Sequence, residues 1–352
     1  MQTLTVNLQD SYDIHIQRGI LQQCGEQIAA VHSRCQAFII TDSHVAPLYL
    51  SIVEQSLQKA GFSTNHLVFA AGEQSKLFDT IYDMVCAMAD ARMTRSDIVI
   101  ALGGGVTGDM AGFASAVYMR GIPFVQLSTS LLSDIDSSVG VKTGCDLKNG
   151  KNLVGSFHQP ALVLIDPDTL QTLPKRYISD GMAEAIKYGV IRDASLFTDI
   201  QTQPLDQLLD RLLYTCIDIK RQIVEDDPFE HGRRKLLNFG HTLGHAIEKY
   251  YRFERYSHGE AVCIGMVQIT KAAEHAGLCQ TGTAQQICDA AANYQLPTQC
   301  DADLQQLCEI CLSDKKRKTD SIDLILPKTI GEAFIHNLPI DALYSFLAGG
   351  TI

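Results

Sequence analysis

Three histidines and one glutamate of this chain are candidate metal ligands, because side chains of these types commonly bind zinc. His241 and His245 lie one helical turn apart in LNFGHTLGHAIE, His258 follows in SHGEA, and Glu184 precedes them. Because an α-helix turns every 3.6 residues, imidazoles at positions i and i+4 share one helix face. Two imidazoles and a carboxylate can hold zinc and leave one position open for a substrate. The spacing favours His241 and His245 as the imidazole pair, but it is also common between two half-buried polar residues.

A glycine-rich segment, GGGVTGD at residues 103–109, follows an apolar run and opens a helical pattern. Glycines allow the backbone to approach a pyrophosphate closely, and a helix start offers N–H groups to it. The usual dinucleotide pattern has an acidic residue about 20 positions later, whereas the best candidate here, Asp42, precedes the glycines. Taken alone, the segment fits a tight turn equally well, and Asp42 fits a helix cap or turn residue better.

Several cationic and polar residues lie near one another in the sequence after the glycine-rich segment. Lys142, Lys151 and Asn152 occupy a glycine-rich loop with little strand character, and Asp136 and Arg120 are close in sequence. A single lysine is usually a solvated surface charge, but several cationic groups that converge on small residues suit an anionic ligand. We therefore expect one loop that binds an anion.

Composition excludes several classes of partner. The 352 residues carry a formal charge of −11 without a long basic tract, which argues against nucleic acid or an anionic membrane as a partner. No apolar run reaches the roughly 18 residues of a membrane span, and the first residues lack the pattern of a signal peptide. The eleven cysteines lack paired spacing, so we expect a cytoplasmic protein with packed thiols, including Cys308 and Cys311.

The periodicity of apolar residues divides the chain into two domains. Up to Pro174, helical patterns alternate with short apolar runs that suit strands covered on both faces. We expect these strands at residues 37–41, 66–70, 97–102, 124–128 and 161–165. After Pro174 helical patterns dominate, with one late strand-like run at 322–327. The predicted fold is an α/β domain with a parallel Rossmann-like sheet at residues 1–174 and a mainly α-helical domain at 175–352, with the active site in the cleft between them.

Further motifs extend over nearly the whole chain. In order they are GGGVTGD, SSVGVKTG at 137–144, GKNLVG at 150–155, GMAEAIKYGV at 181–190, the histidine-containing segment and DKK at 314–316. In this order and at these separations the chain resembles the 3-dehydroquinate synthase family of sugar-phosphate cyclases. The resemblance implies the dehydroquinate synthase-like fold, NAD as a catalytic cofactor, a zinc or cobalt ion, and a phosphorylated sugar acid as the substrate. We also expect a homodimer.

The resemblance assigns roles to individual residues. The implied metal ligands are Glu184, His241 and His258. The implied catalytic residues are His245, Lys142, Asp136 and Lys187. Those assigned to NAD are Asp42, Glu73, Lys76, Gly105, Val106, Thr107, Gly108, Asp109, Thr129, Ser130, Lys142, Lys151, Thr169 and Thr172. Those assigned to the substrate are Arg120, Asn152, Lys187, Lys220, Arg234, Asn238, His245 and Lys315. The resemblance thus prefers His258 to His245 as a ligand, and His245 suits proton transfer because free imidazole titrates near neutral pH.

The reaction implied by the resemblance converts 3-deoxy-D-arabino-heptulosonate 7-phosphate into 3-dehydroquinate and phosphate, with NAD recycled. Val141 stands where the family pattern has a glycine, and CDLKNGKN replaces the commoner spacer, so we expect a locally altered loop. The alternatives are another cyclase that makes an inosose or a valiolone, a zinc- and NAD-dependent polyol dehydrogenase, and a phosphosugar-binding protein without activity. The substrate carboxylate separates the first alternative, because it needs cationic partners that a neutral sugar does not.

Overall fold

The chain folds into two compact units. The structure, a computed structural model, describes residues 1–8, 10–147, 150–230, 232–313 and 320–349. The first unit is Met1–Leu173 and the second is Pro174–Ile352. The division falls one residue from the boundary expected from the change in periodicity.

Strands and helices alternate through the first unit. In chain order they are β1 (Gln2–Asn7), β2 (Ser11–Ile16), α1 (Cys24–Val31), β3 (Gln36–Asp42), α2 (Ser51–Lys59), β4 (Ser63–Phe69), α3 (Phe78–Asp90), β5 (Ile98–Gly103), α4 (Gly105–Val117), β6 (Phe124–Ser128), β7 (Lys142–Leu147), β8 (Gly150–Phe157) and β9 (Leu162–Ile165). Among the described residues, one seven-stranded sheet has the order β1-β2-β9-β6-β5-β3-β4. Its strands are parallel except β1, which runs antiparallel to β2.

Helices cover both faces of this sheet, which explains why its central strands are apolar at nearly every position. All residues of β5 and β9 are buried. On one face Ile28 of α1 and Leu57 of α2 pack with Ile39 and Ile100, and on the other face α3 and α4 pack through residues such as Phe113. Each fully buried side chain of this kind stabilises the fold by roughly 1.5–3 kcal/mol. The predicted parallel α/β sheet is confirmed.

The strand order reverses between β3 and β5. The chain goes from β3 outward to β4 and returns to β5 on the other side of β3. In open α/β sheets, ligands bind outside the carboxyl ends of the strands at such a reversal. Asp42 and Gly103 are the last residues of β3 and β5, so both lie at this point.

The expected strand-poor loop around Lys142 and Lys151 is wrong. The segment forms an antiparallel hairpin of β7 and β8. Glycines make this pairing possible rather than preventing it: a Cβ added to Gly155 would lie 2.1 Å from the carbonyl oxygen of Thr143, and one on Gly144 would lie 2.5 Å from that of Val154. Only glycines permit such a close approach of two backbones.

The second unit is mainly helical, as predicted. Its elements are α5 (Lys175–Arg192), α6 (Ala194–Thr202), α7 (Leu205–Asp226), α8 (His241–Tyr250), α9 (His258–His275), α10 (Thr283–Asn293), α11 (Leu304–Ser313), β10 (Ser321–Thr329), β11 (Glu332–Pro339) and α12 (Leu343–Gly349). The late strand-like run is β10, and it pairs antiparallel with β11.

None of the helices that the structure describes combines the length and the apolar character of a membrane-spanning segment. The eleven cysteines are free thiols. Cys308 and Cys311 are buried, in agreement with the prediction of packed thiols.

Candidate active site

At the carboxyl end of the sheet, Asp42 contacts the glycine-rich turn. Its Oδ1 atom accepts hydrogen bonds from the backbone N–H groups of His44 (2.8 Å) and Val45 (3.0 Å), and its Oδ2 atom accepts one from Thr107 Oγ1 (3.4 Å). The aspartate therefore stabilises the turn after β3, in agreement with its interpretation as a turn residue. Its second oxygen still faces the start of α4.

The start of α4 has the properties of an anion-binding site. Gly104 is the N-cap residue, and no side chain among the described residues caps the helix there. The first N–H groups of a helix lack intrahelical partners and carry partial positive charge. Gly105, Val106 and Thr107 supply these groups, and the Thr129 N–H donates to the Gly103 carbonyl (3.1 Å). Ser130 lies next to this turn, because a Cβ on Gly104 would be 3.0 Å from Ser130 Oγ.

A charged network lies beside this helix start. Lys76 Nζ donates to Asp109 Oδ2 (2.6 Å) and to Asn152 Oδ1 (2.7 Å). Lys151 Nζ forms an ion pair with Glu73 Oε1 (3.2 Å). Burial lowers the pKa of Lys76, but Asp109 and then Glu73 outweigh this effect, and the net pKa is raised. Lys76 is therefore a fixed buried cation (5% exposed).

Thr169 and Thr172 lie in the helical turn Pro167–Thr172 after β9. The Tyr49 hydroxyl donates to the Thr169 carbonyl oxygen (3.2 Å) and shares a hydrogen bond with Thr172 Oγ1 (2.5 Å). Tyr49 follows β3, so these bonds join the segments that follow β3 and β9.

Lys142, Lys151 and Arg120 lie on different elements of the first unit, and their convergence on one anion stays a prediction. Lys142 pairs with Phe157 at the open end of the hairpin, whereas Lys151 lies next to its turn, roughly 13 Å away along the strands. Arg120 is exposed and follows the carboxyl end of α4, about 20 Å of helix from the glycine-rich turn. Asp136 lies in the helical turn Ser133–Ser137.

In the second unit, three of the four candidate metal ligands converge on one point. Glu184 on α5 is fully buried. Its Oε1 atom lies 3.5 Å from His241 Nε2 and 3.7 Å from His258 Nε2. Donor atoms about 2.1 Å from a tetrahedral ion are about 3.4 Å apart. These three residues therefore have the spacing that a zinc-sized ion requires.

The hydrogen-bonding state of Glu184 supports the same conclusion. Lys187 forms an ion pair with Oε2, whereas Oε1, the oxygen that faces the two histidines, accepts no hydrogen bond from the described residues. Oε1 is therefore a buried oxygen without a donor, which is costly, and a metal ion between it and the histidines would remove that cost. Burial, followed by the charge of Lys187, holds the pKa of His241 well below its ordinary value, so its imidazole is neutral and able to coordinate.

A second group, formed by His245, Glu248 and His258, also has donor atoms within 4.8 Å of one another. In this group, however, Glu248 Oε2 already lies 2.9 Å from His245 Nδ1, whereas Glu184 Oε1 accepts no hydrogen bond from the described residues. The geometry therefore favours Glu184, His241 and His258 as ligands over the His241 and His245 pair that the spacing favoured.

Close packing of α8 on α9 brings the histidines together. Gly240, the N-cap of α8, has a φ of 79°, and a Cβ there would lie 2.5 Å from Met266 Cγ. Glycine is required both for this backbone conformation and for the contact. The rings of His241 and His258 are 5.2 Å apart, and those of His245 and His258 are 5.7 Å apart.

Asp180, which the sequence reasoning missed, connects α5 to the start of α9. Its Oδ1 atom accepts hydrogen bonds from Ser257 Oγ (2.5 Å) and from the Gly259 N–H (3.0 Å). These residues flank His258. Because Asp180 precedes Glu184 by four residues on α5, the same helix face holds one ligand and anchors another. That spacing was visible in the sequence.

The expected substrate residues of the second unit occupy different environments. Asn238 and His245 line a cavity of about 660 Å³ together with His241. Lys187, Lys220 and Arg234 are buried, and Arg234 Nη1 donates to the Pro228 carbonyl (2.5 Å). Among the described residues, Lys220 and Arg234 do not line this cavity. Lys315 lies outside the described residues.

Comparison with known proteins places this architecture in a class, the sugar-phosphate cyclases. The 2-epi-5-epi-valiolone synthase of Streptomyces hygroscopicus subsp. jinggangensis, solved with NAD⁺ and Zn²⁺, superposes with a TM-score of 0.88 at 27% identity, and 99% of this chain and 97% of that chain are covered. A 2-deoxy-scyllo-inosose synthase solved with carbaglucose-6-phosphate, NAD⁺ and Co²⁺ gives a TM-score of 0.87 at 23% identity over 98% of this chain and 99% of the other.

Sequence comparison identifies the family. The family models of the 3-dehydroquinate synthase N-terminal and C-terminal domains match residues 66–180 and 181–317. The 3-dehydroquinate synthase of Clostridium acetobutylicum is 42% identical over 99% of both chains. That of Streptococcus suis is 44% identical over 98% of this chain and 99% of its own. The chain belongs to the 3-dehydroquinate synthase family.

Proposed function

We propose that this protein converts 3-deoxy-D-arabino-heptulosonate 7-phosphate into 3-dehydroquinate and phosphate. The first unit binds NAD and the second binds a divalent metal and the substrate. The observation that carries the proposal is the buried Glu184 atom Oε1, which faces the Nε2 atoms of His241 and His258 at 3.5 and 3.7 Å and accepts no hydrogen bond from the described residues. Relatives named 3-dehydroquinate synthase that match almost the whole chain support the particular reaction.

The cofactors supply the chemistry that side chains lack: NAD accepts and returns a hydride, and a zinc or cobalt ion polarises substrate hydroxyl groups. The NAD-binding surface that we propose consists of the carboxyl ends of β3 and β5, the start of α4 and the Lys76 network. The helix start would hold the pyrophosphate through its backbone N–H groups. The Lys76 ammonium is held in place by Asp109 and Asn152, so it can favour a nearby anion without rearranging.

In the second unit, His245 is the group we propose for proton transfer. Its side chain is 57% exposed and borders the cavity together with Asn238. An exposed imidazole beside a cavity can exchange protons with both substrate and solvent. Lys187 is fixed by its ion pair with Glu184, so its cationic head lies next to the proposed metal position and can orient a bound hydroxyl or carboxylate.

The related cyclases share the fold, so substrate choice requires a separate argument. The heptulosonate phosphate has an anionic group at each end. The relatives named 3-dehydroquinate synthase are 42% and 44% identical to this chain, whereas the valiolone and inosose synthases are 27% and 23% identical, which favours the substrate that has a carboxylate. We therefore propose that the substrate carboxylate is required for turnover.

The expected homodimer stays a prediction, which analytical ultracentrifugation tests.

The decisive experiment measures phosphate release from the heptulosonate phosphate with and without NAD and with and without a chelator. We expect release to need both NAD and metal and to proceed without net accumulation of NADH. Sedoheptulose 7-phosphate, which lacks the carboxylate, is the matched control and should react far more slowly. Equal rates with both sugars would contradict the assigned substrate, and NADH formed in step with product would indicate a dehydrogenase.

A further inference from the structure

One carboxylate outside the proposed ligand set contacts two of the three histidines. Glu248 lies on α8, and its side chain is 2% exposed. A single oxygen, Oε2, lies 2.9 Å from His245 Nδ1 and 3.5 Å from His258 Nδ1. The two rings are nearly parallel, with an angle of 29° between their planes. Glu248 is therefore placed between the proposed proton-transfer group and a proposed ligand.

The chemistry of the three groups determines where the ring protons are. A carboxylate accepts hydrogen bonds but cannot donate them, so the nitrogen facing Oε2 must carry the proton. In both rings this nitrogen is Nδ1. A neutral imidazole has one N–H, and Nε2 of each ring is then an acceptor. For His258, Nε2 is also the atom that faces Glu184 Oε1 at 3.7 Å.

We propose that Glu248 is a positioning residue that selects the Nδ1–H tautomer of both His245 and His258. It thereby leaves one Nε2 lone pair for the metal and the other for a substrate proton. Because both contacts use one oxygen, they link metal binding at His258 to proton transfer at His245. This inference deepens the proposed function and rests on it for the role of His245, but not for the tautomers.

The burial of Glu248 supports a specific role. A carboxylate inside a protein loses its hydration and is stabilised only by fixed partners. A packing role alone would be filled better by an apolar side chain. Outer partners of histidine ligands fix the ring orientation and raise its basicity, and removal of such a partner typically weakens metal binding by about 10–100-fold.

The first test is independent of activity. Long-range ¹H–¹⁵N NMR of the metal-free protein, at a pH where imidazoles are neutral, distinguishes the two tautomers. His245 signals are assigned by comparison with H245Q. We expect the Nδ1–H form in the unmodified protein and a mixture of tautomers in E248Q, which has nearly the same shape. The Nε2–H form at His245 in the unmodified protein would overturn the proposal, even if E248Q failed to fold.

The second test is metal affinity, measured by competition with a chromophoric chelator. E248Q should bind Zn²⁺ about 10–100-fold more weakly, whereas E332Q, which removes an exposed carboxylate paired with Lys328, should bind it normally. With saturating metal, E248Q should still have a reduced kcat and a nearly unchanged KM. Unchanged affinity in E248Q, or two tightly bound ions per chain, would overturn the proposal. If the assigned substrate is wrong, the tautomers and the metal affinity can still be measured, because neither measurement uses a substrate. Failure of the proposed function is therefore distinguishable from failure of the role proposed for Glu248.

Discussion

Asp134 offers a prediction about stability that depends on a single buried carboxyl group. It lies in the helical turn Ser133–Ser137 after β6 and has no solvent exposure. Among the described residues, no hydrogen bond in good geometry reaches either carboxyl oxygen. Burial raises the pKa of Asp134 from 3.8 to about 8, although the nearby Ser128 hydroxyl opposes the shift. The group is therefore a neutral acid in the folded protein at neutral pH.

The sign of the pH dependence follows from this shift. Between pH 4 and pH 8, approximately, the unfolded chain releases the Asp134 proton while the folded protein keeps it. Stability from this group is therefore fully present below the unfolded pKa and is lost as the pH rises toward the folded pKa. The slope for one proton is about 1.4 kcal/mol per pH unit. Between pH 5 and pH 7 the wild type should lose about 3 kcal/mol relative to D134N, whose amide does not titrate.

The assay is urea unfolding of both proteins at several pH values, followed by far-UV circular dichroism because the chain has no tryptophan. All other titrating groups cancel in the difference between the two proteins. D168N is the control, since Asp168 is an exposed partner of Arg18 and its replacement should leave the slope unchanged. Identical pH dependence in D134N and the wild type would refute the reasoning, because it would mean that the buried carboxyl group is already ionised when folded.

Two further predictions concern the proposed cofactor sites. H241A should lose the metal in equilibrium dialysis, whereas H245A should retain it and lose turnover, and equal metal loss in both would show that the ligand set is wrong. K76M should weaken NAD binding by about 10–100-fold in calorimetry, because hydrogen bonds to charged groups contribute about 1.5–3 kcal/mol. K59M removes an exposed lysine of α2 and should bind NAD normally, and normal binding by K76M would exclude Lys76 from the site.

The sequence predicted the sheet well where apolar content decided the structure. Strand β6 was predicted with its observed limits, and β3 and β5 within one residue at each end, because strands buried on both faces are apolar throughout. Strands β1 and β2 were not predicted. Their buried positions alternate with exposed or half-buried ones, which is typical of strands near a sheet edge and gives a weaker signal than a continuous apolar run.

The nucleotide site shows how topology resolves an ambiguity of sequence order. Asp42 precedes the glycine-rich turn by about 60 residues, which contradicts the usual order of the dinucleotide motif. In the sheet, β3 and β5 are neighbours, so Thr107 of the turn reaches Asp42. Pattern matching along the chain cannot detect this contact, because it depends on strand β4 being placed outside β3.

The choice of metal ligands depends on partners that helical spacing does not contain. His241 and His245 share a face of α8, and spacing alone makes them equivalent candidates. Their Nδ1 atoms do not distinguish them, because each lies beside an acceptor: the Phe239 carbonyl oxygen for His241 (3.2 Å) and Glu248 for His245 (2.9 Å). They differ in that His241 Nε2 lies 3.5 Å from Glu184 Oε1 and groups with Glu184 and His258, whereas His245 groups with Glu248 and His258. An imidazole coordinates through the nitrogen that its other hydrogen bond leaves unprotonated. The proposed ligand set therefore depends on the position of Glu184 on α5, which the spacing of histidines along α8 does not contain.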